Sequence, residues 1–390
     1  MSVFVSAAEI LCELVAIPTP SSVSNMPLVS WVEEFLVERG WRVELLAYDD
    51  ESGVSKANLI AWPGQAERSD KFDLAFVCHT DTVPYAADWV GALVLGEREG
   101  QLHGCGSCDV KGSLACFLAA ISACETSAIH SKVALILTAD EEIGCKGTER
   151  LLAATSVRIG SAIISEPTSL RAGIAGKGYG LARITVEGKE AHSAFPQQGV
   201  SAISVAARMI VQIEDAFALR SSEAPLDGLF DPPRTTLNIG TIEGGTAKNI
   251  VPGKCTFLVE WRAIPGENPT EMLRLLRDAL VEAHREEPRV VVRLESLRAE
   301  RGFSPAPTGR LQARLAEVLV NEPVGISFGS EASRMARIAD EVIVIGPGDM
   351  RSAHSDRECV PVAELELWTS VLKGLLIDTS AGRSSGAPVQ

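Results

Sequence analysis

Apolar runs of strand length recur along this chain, and a polar side chain of metal-binding type follows soon after most of them. The runs Leu74–Cys78, Val133–Ala139, Ala162–Ser165 and Val342–Ile345 have no polar alternation. That pattern predicts strands covered on both faces, hence a largely parallel sheet between layers of helices. Further strands are predicted near Trp41–Tyr48 and Ala57–Trp62, with Asp73–Cys78, Lys132–Ala139 and Ser161–Ser165 framing the runs above. Helical periodicity fits Ala7–Ala16, Pro27–Arg39, Lys111–Cys124 and Lys146–Ala154.

From Tyr179 the pattern changes. Gly180–Glu187 alternates apolar and polar residues, as a half-exposed strand does. A helix from Ser201 to about Ala218 follows, then strands Thr236–Ile242 and Cys255–Arg262, a helix Pro269–Arg285 and a strand Arg289–Leu294. This order is β-α-β-β-α-β, a self-contained sandwich of sheet and helices. The α/β alternation then resumes with helix Gly309–Val320, strand Gly325–Phe328, helix Ser330–Ile338, strand Glu341–Ile345 and helix Pro361–Leu376. The fold class is therefore α/β, with one domain built from 1–177 and 299–379 and interrupted by an inserted domain at 178–298. The Ser/Gly/Pro-rich tail 380–390 is expected to be disordered.

Composition narrows the function. With 390 residues and 46% hydrophobic content the chain can bury two cores. A net charge of −15 disfavours a nucleic-acid partner, which demands a basic face. The apolar stretches fall short of a membrane span, so no membrane partner is expected. Nine scattered cysteines, an odd number without framework spacing, point to reduced thiols and a cytoplasmic setting.

The candidate ligands are His79, Asp109, Glu142, Glu166 and His354. Four follow apolar runs, and Asp109 lies on the glycine-rich turn Gly104–Gly112. Ligands at the carboxyl ends of parallel strands converge on one crevice. Two imidazoles with three carboxylates suit zinc, and cobalt or manganese less selectively. A shared carboxylate can hold two ions about 3.5–4 Å apart. The glycine-rich turn lacks the Gly-Lys-Ser/Thr ending of a phosphate loop. Asp81, two residues past His79 on an extended segment, can orient that imidazole. Three consecutive carboxylates, Asp140-Glu141-Glu142, repel one another unless a cation or solvent intervenes. Glu141 beside Glu142 points to one carboxylate on metal and the other free as a base. Each motif alone also fits an ordinary polar loop; five on one sheet edge do not arise easily by chance.

HTDTVP, GCGSCDVKGSLA, TADEEIG, SEPTSL, AHSAFPQQGVSAI and AHSDRECVP occur in an order that resembles the M20 family of metallopeptidases and amidohydrolases over nearly the whole chain. Within it the chain looks most similar to the acetylornithine deacetylase and succinyl-diaminopimelate desuccinylase branch. The resemblance implies a zinc-exopeptidase-like catalytic domain with a mostly parallel central sheet, and a ferredoxin-like inserted domain acting in dimerisation or as a lid. It implies two zinc ions: one on His79 and Glu166, the other on Glu142 and His354, with Asp109 bridging. Glu141 would be the general base, and Asp81 would orient His79. His192 would complete the active site of a homodimer partner, and Asn249 and Arg262 would bind an N-acyl amino acid substrate. Glu331 would face a substrate amine or cap the following helix. The sequence departs from the family at Cys105, where relatives usually carry Arg; a neutral replacement is expected. His103, His130 and His284 match no ligand position and read as structural or surface residues.

Overall fold

The computed structural model describes residues 5–268 and 270–377; the tail 380–390 and Pro269 lie outside the described residues. Contacts divide the chain into two compact units. One comprises 1–174, 305–324 and 330–390; the other comprises 175–304 with 325–329. The second unit is a few residues wider at each end than 178–298 and takes in a short segment far along the chain.

The first unit is built on a mixed sheet. Its four central strands, in spatial order Val133–Thr138, Lys71–His79, Arg158–Ile164 and Ala339–Val344, are parallel to one another. They are the runs without polar alternation, and Val133–Thr138 is buried at every position. Such strands need helices on both faces and crossovers between them. Helix Lys146–Ala154 supplies one such crossover.

The expectation of a mostly parallel sheet is corrected outside this centre. Trp41–Asp49 and Ser55–Pro63 form an antiparallel hairpin, and Ser55–Pro63 pairs antiparallel with Val133–Thr138. Hairpin geometry explains this: the connection is too short for a crossover, and Gly53 takes the left-handed conformation at φ 79° within the turn. Helix Lys111–Ser122 is buried along its whole length and packs against helices Ala7–Ala16 and Val362–Ile377.

Two predicted elements shrink. The helix expected over Ser330–Ile338 is only Ala332–Met335, and Gly325–Phe328 becomes the short strand Val324–Ile326. A small sheet of Gly96–Arg98, Gln101–His103 and Cys359–Pro361 was not predicted; three-residue strands leave too little pattern to read.

The second unit has the predicted β-α-β-β-α-β order. Its four antiparallel strands lie in the order Thr236–Gly244, Lys254–Arg262, Tyr179–Glu187, Val291–Glu300. Helices Ala202–Glu223 and Glu271–Glu286 bury one stripe each against the sheet. Ile184, Phe257, Trp261, Met209 and Leu276 are central to that core.

Candidate metal centre

The four parallel strands end side by side, and each delivers chemistry just past its carboxyl end. His79 is the last residue of its strand. Glu141 and Glu142 follow Val133–Thr138, Glu166 follows Arg158–Ile164, and His354 follows Ala339–Val344 on a longer loop.

The acidic run is sorted by its surroundings. Asp140 adopts φ 57° and turns inward, where its Oδ1 lies 2.9 Å from Lys56 Nζ. The ammonium also donates to the carbonyls of Ser21 at 2.8 Å and Val23 at 2.7 Å. One of the three carboxylates is thus neutralised internally, leaving Glu141 and Glu142 for chemistry.

Asp81 reaches His79 chiefly through its backbone. His79 Nδ1 lies 2.9 Å from the Asp81 backbone carbonyl and 3.7 Å from Asp81 Oδ1. A carbonyl only accepts, so Nδ1 carries the proton and Nε2 is left as the ligand atom. The Asp81 carboxylate instead accepts the backbone N–H groups of Glu141 at 3.0 Å and Glu142 at 3.2 Å, and the Ser21 hydroxyl at 2.7 Å. It holds the turn that presents the two glutamates.

Asp109 is the centre of the cluster. Its Oδ1 lies 3.2 Å from His79 Nε2 and its Oδ2 lies 3.0 Å from His354 Nε2. His354 Nε2 is also 3.2 Å from Glu142 Oε1. Among the described residues, His79, Asp109 and Glu142 bring ligand atoms within 4.8 Å of one another. Burial pushes the Asp109 carboxyl up, but its hydrogen bonds to His354 and His79 outweigh this and hold it well below the usual range. Burial likewise opposes charge on His79, yet Asp109 and Asp81 raise its pKa well above the ordinary value. The bonds from Asp109 and Glu142 raise His354 to about 10. Glu166 is 3% exposed, and burial followed by the charge of Asp109 keeps its carboxyl well above normal. These groups demand positive charge between imidazole nitrogens and carboxylates. Their hard oxygen and imidazole donors fit divalent ions of the zinc type.

Glu141 has its pKa raised to about 8, first by burial and then by neighbouring charges that include Glu142. The Cys145 thiol donates to its Oε1 at 3.2 Å. A cavity of about 430 Å³ opens beside His354, lined by Val83, Tyr85, Trp89, Cys105 and Asp356 among others. The Cys105 thiol is pushed up to about 11 by burial, so it stays protonated. A second cavity, of about 500 Å³, lies between the two helices of the inserted unit and touches none of the predicted site residues.

Glu331 is 1% exposed, and its carboxylate accepts the hydroxyls of Thr138 and Thr148. It occupies the N-cap position of the short helix Ala332–Met335, with no side-chain bond to the helix. Both hydroxyls bond the same oxygen, Oε1.

Within the inserted unit, His192 and Asn249 are exposed neighbours, with Ser193 N–H donating to the Asn249 carbonyl at 2.9 Å. Arg262 sits at the opposite end of the sheet. Lys254 pairs with Glu187 and Trp261 with Gly180, so the two ends of that strand lie roughly 25 Å apart at ~3.3 Å per residue. The Arg262 guanidinium stacks 3.9 Å from the Tyr179 ring centroid and its Nε bonds Glu260 at 2.8 Å.

Sequence reasoning missed Glu358. It is 2% exposed and accepts three backbone N–H groups of the glycine-rich turn. Burial, then the charge of Asp109, raises it to about 7. It lies within the quoted AHSDRECVP motif, which was the available signal. His130 lies 3.8 Å from Asp73 and His284 faces the Val290 carbonyl, both away from the cluster.

A mixed α/β sheet with a parallel centre gathers imidazoles and carboxylates beyond its strand ends, an arrangement suited to a metal-dependent amidohydrolase. Residues 174–288 match the M20 peptidase dimerisation domain. The chain is 41% identical over 373 residues to the acetylornithine deacetylase of Myxococcus xanthus, covering 96% of this chain and 97% of the relative. It is 30% identical over 383 residues to that of Proteus mirabilis, covering 95% of each. Among solved structures, aminopeptidase PepT from Bacillus cereus superposes with a TM-score of 0.73 at 22% identity, over 95% of this chain and 97% of that one. The Bacillus subtilis YXEP protein, described as a dinuclear metal binding peptidase from the M20 family, gives 0.64 at 14% identity, over 95% of this chain and 96% of that one. The chain belongs to the M20 family of metallopeptidases and amidohydrolases.

Proposed function

We propose that this enzyme removes an acetyl group from the α-amine of an amino acid, with N-acetylornithine as the first candidate substrate. The near full-length 41% identity to an acetylornithine deacetylase carries this choice. We assign two zinc ions, one to His79 and Glu166 and one to Glu142 and His354, with Asp109 shared. The placement of the two Asp109 oxygens against separate imidazoles supports that assignment. Bound divalent ions supply Lewis acidity there, polarising the amide carbonyl and easing deprotonation of water.

The protein's own groups do the rest. Glu141, half-buried and not needed as a ligand, takes the proton of the attacking water and returns it to the leaving amine nitrogen. His192 donates a hydrogen bond to the developing oxyanion, an effect on the order of 3 kcal/mol for a single donor. Arg262 pairs with the substrate carboxylate, and Asn249 contributes a further polar contact.

His192 and Asn249 stand at one end of the inserted sheet and Arg262 at the other. The separation supports their serving different active sites of a homodimer. The edge strand Thr236–Gly244 and the outer helix face with Ile203, Val211 and Leu219 exposed offer the pairing surface. Nine free thiols support a reducing, cytoplasmic setting. Among the described residues no helix is long and apolar enough to cross a membrane.

The test is a hydrolysis screen of acetyl- and succinyl-amino acids with zinc or cobalt present. Selective release of acetate from N-acetylornithine is expected. Preference for a succinylated diamino diacid, or for dipeptides, would overturn the substrate assignment and leave the reaction class in place.

A further inference from the structure

Glu358 stands outside the ligand set, yet it joins two of the loops that carry ligands. Its Oε1 accepts the N–H groups of Cys108 at 3.1 Å and Asp109 at 3.1 Å, and its Oε2 accepts that of Gly106 at 3.0 Å. Gly106 reaches this arrangement at φ 76°, a conformation that favours glycine. Four residues before Glu358, on the same loop, lies His354. The small unpredicted sheet fixes the register of the two segments. Cys359 pairs with His103 and Val360 with Leu102, so the strand leaving Glu358 runs against the strand entering the glycine-rich turn. Gly104 N–H adds a bond to the Glu358 carbonyl at 3.4 Å. A carboxylate gathering three N–H groups makes charge-assisted bonds of the stronger kind and leaves the turn little freedom.

We propose that Glu358 is a positioning residue for the metal centre, clasping the His354 loop to the Asp109 turn and so setting the spacing between those two ligands. The proposal rests on the assignment of Asp109 as the shared ligand. Its three bonds go to the backbone of the turn that carries Asp109, so it acts through that residue. Outer partners of metal ligands typically contribute ~10–100-fold to metal affinity.

Glu358→Gln is the informative variant, because it keeps the shape and one acceptor oxygen but turns an NH₂ toward at least one of the three N–H donors. Glu358→Ala removes all three bonds. Both are assayed as full-length, gel-filtered protein by zinc competition against a chelator and by the visible spectrum after cobalt loading, with kcat and KM measured separately. Asp109→Asn is run alongside. The expected result for Glu358→Gln is zinc affinity weakened ~10–100-fold, an altered cobalt spectrum, and a fall in kcat with KM held. A Glu358→Gln protein with the parent's zinc affinity and cobalt spectrum overturns the proposal. If Asp109→Asn also holds zinc like the parent, the shared-ligand assignment falls with it. If Asp109→Asn loses zinc while Glu358→Gln does not, the role of Glu358 alone falls.

Discussion

Lys56 Nζ lies 2.9 Å from Asp140 Oδ1, and both side chains are out of solvent. The pair sits directly behind the turn that presents Glu141 and Glu142. Removing one partner strands a buried charge, which costs about 3–5 kcal/mol; replacing both with neutral groups is far milder. Lys56→Met and Asp140→Asn are therefore each expected to destabilise strongly in urea unfolding. The double variant is expected to lose clearly less than the sum of the two. Additive losses would show that the two charges do not depend on each other.

Glu141 and Glu142 are adjacent in sequence but assigned different work. Glu141→Gln is expected to keep its metal content by elemental analysis while kcat falls ~10²–10⁴-fold, the range for a general base. Glu142→Gln is expected to lose an ion. The reverse pattern would exchange the two roles.

Metal loading should depend on pH in a defined direction. In the metal-free protein His354 is raised to about 10 and so holds a proton at pH 7, and neighbouring carboxylates shift His79 in the same direction. A divalent ion must displace such protons, so apparent affinity rises with pH until the imidazoles are neutral. Calorimetry of zinc binding at pH 7, in buffers of differing ionisation enthalpy, is expected to register proton release. Binding without proton release would contradict the imidazole assignments.

The proposed dimer makes a complementation prediction. His192→Ala and Glu141→Gln are each expected to be nearly inactive alone. Co-expressed, they form mixed dimers in which one site keeps both residues, and part of the activity returns. Co-expressed heterodimers no more active than either parent would place His192 in its own subunit's chemistry or outside it.

The ligand-bearing strands were legible because burial on both faces leaves a continuous apolar signature, and each such run ended at a reactive side chain. The inserted unit was legible for the opposite reason: one covered face writes a clean alternation, as in Gly180–Glu187. Partnerships between distant polar groups were not legible. Nothing near Lys56 in sequence names Asp140, and nothing near Glu358 names the backbone it holds. The hydroxyls that bond Glu331, those of Thr138 and Thr148, are as far from it in sequence and were not legible either. Spacing and resemblance both linked Asp81 to His79, but neither showed that the backbone carbonyl makes the closer contact while the carboxylate holds the next turn.

The inserted unit also imposes an order of events on synthesis. Arg158–Ile164 and Ala339–Val344 are neighbours in the sheet, yet the whole insertion is translated between them. Nearly two hundred residues separate Glu166 from His354, which at ~5–20 residues per second is roughly 10–40 s of elongation. During that interval the nascent chain carries four of the five proposed ligands, while the strand that completes the parallel centre has not yet been made. Capture of metal by the finished site must therefore wait until the inserted unit has been made, and the centre is assembled last although most of its ligands are made first.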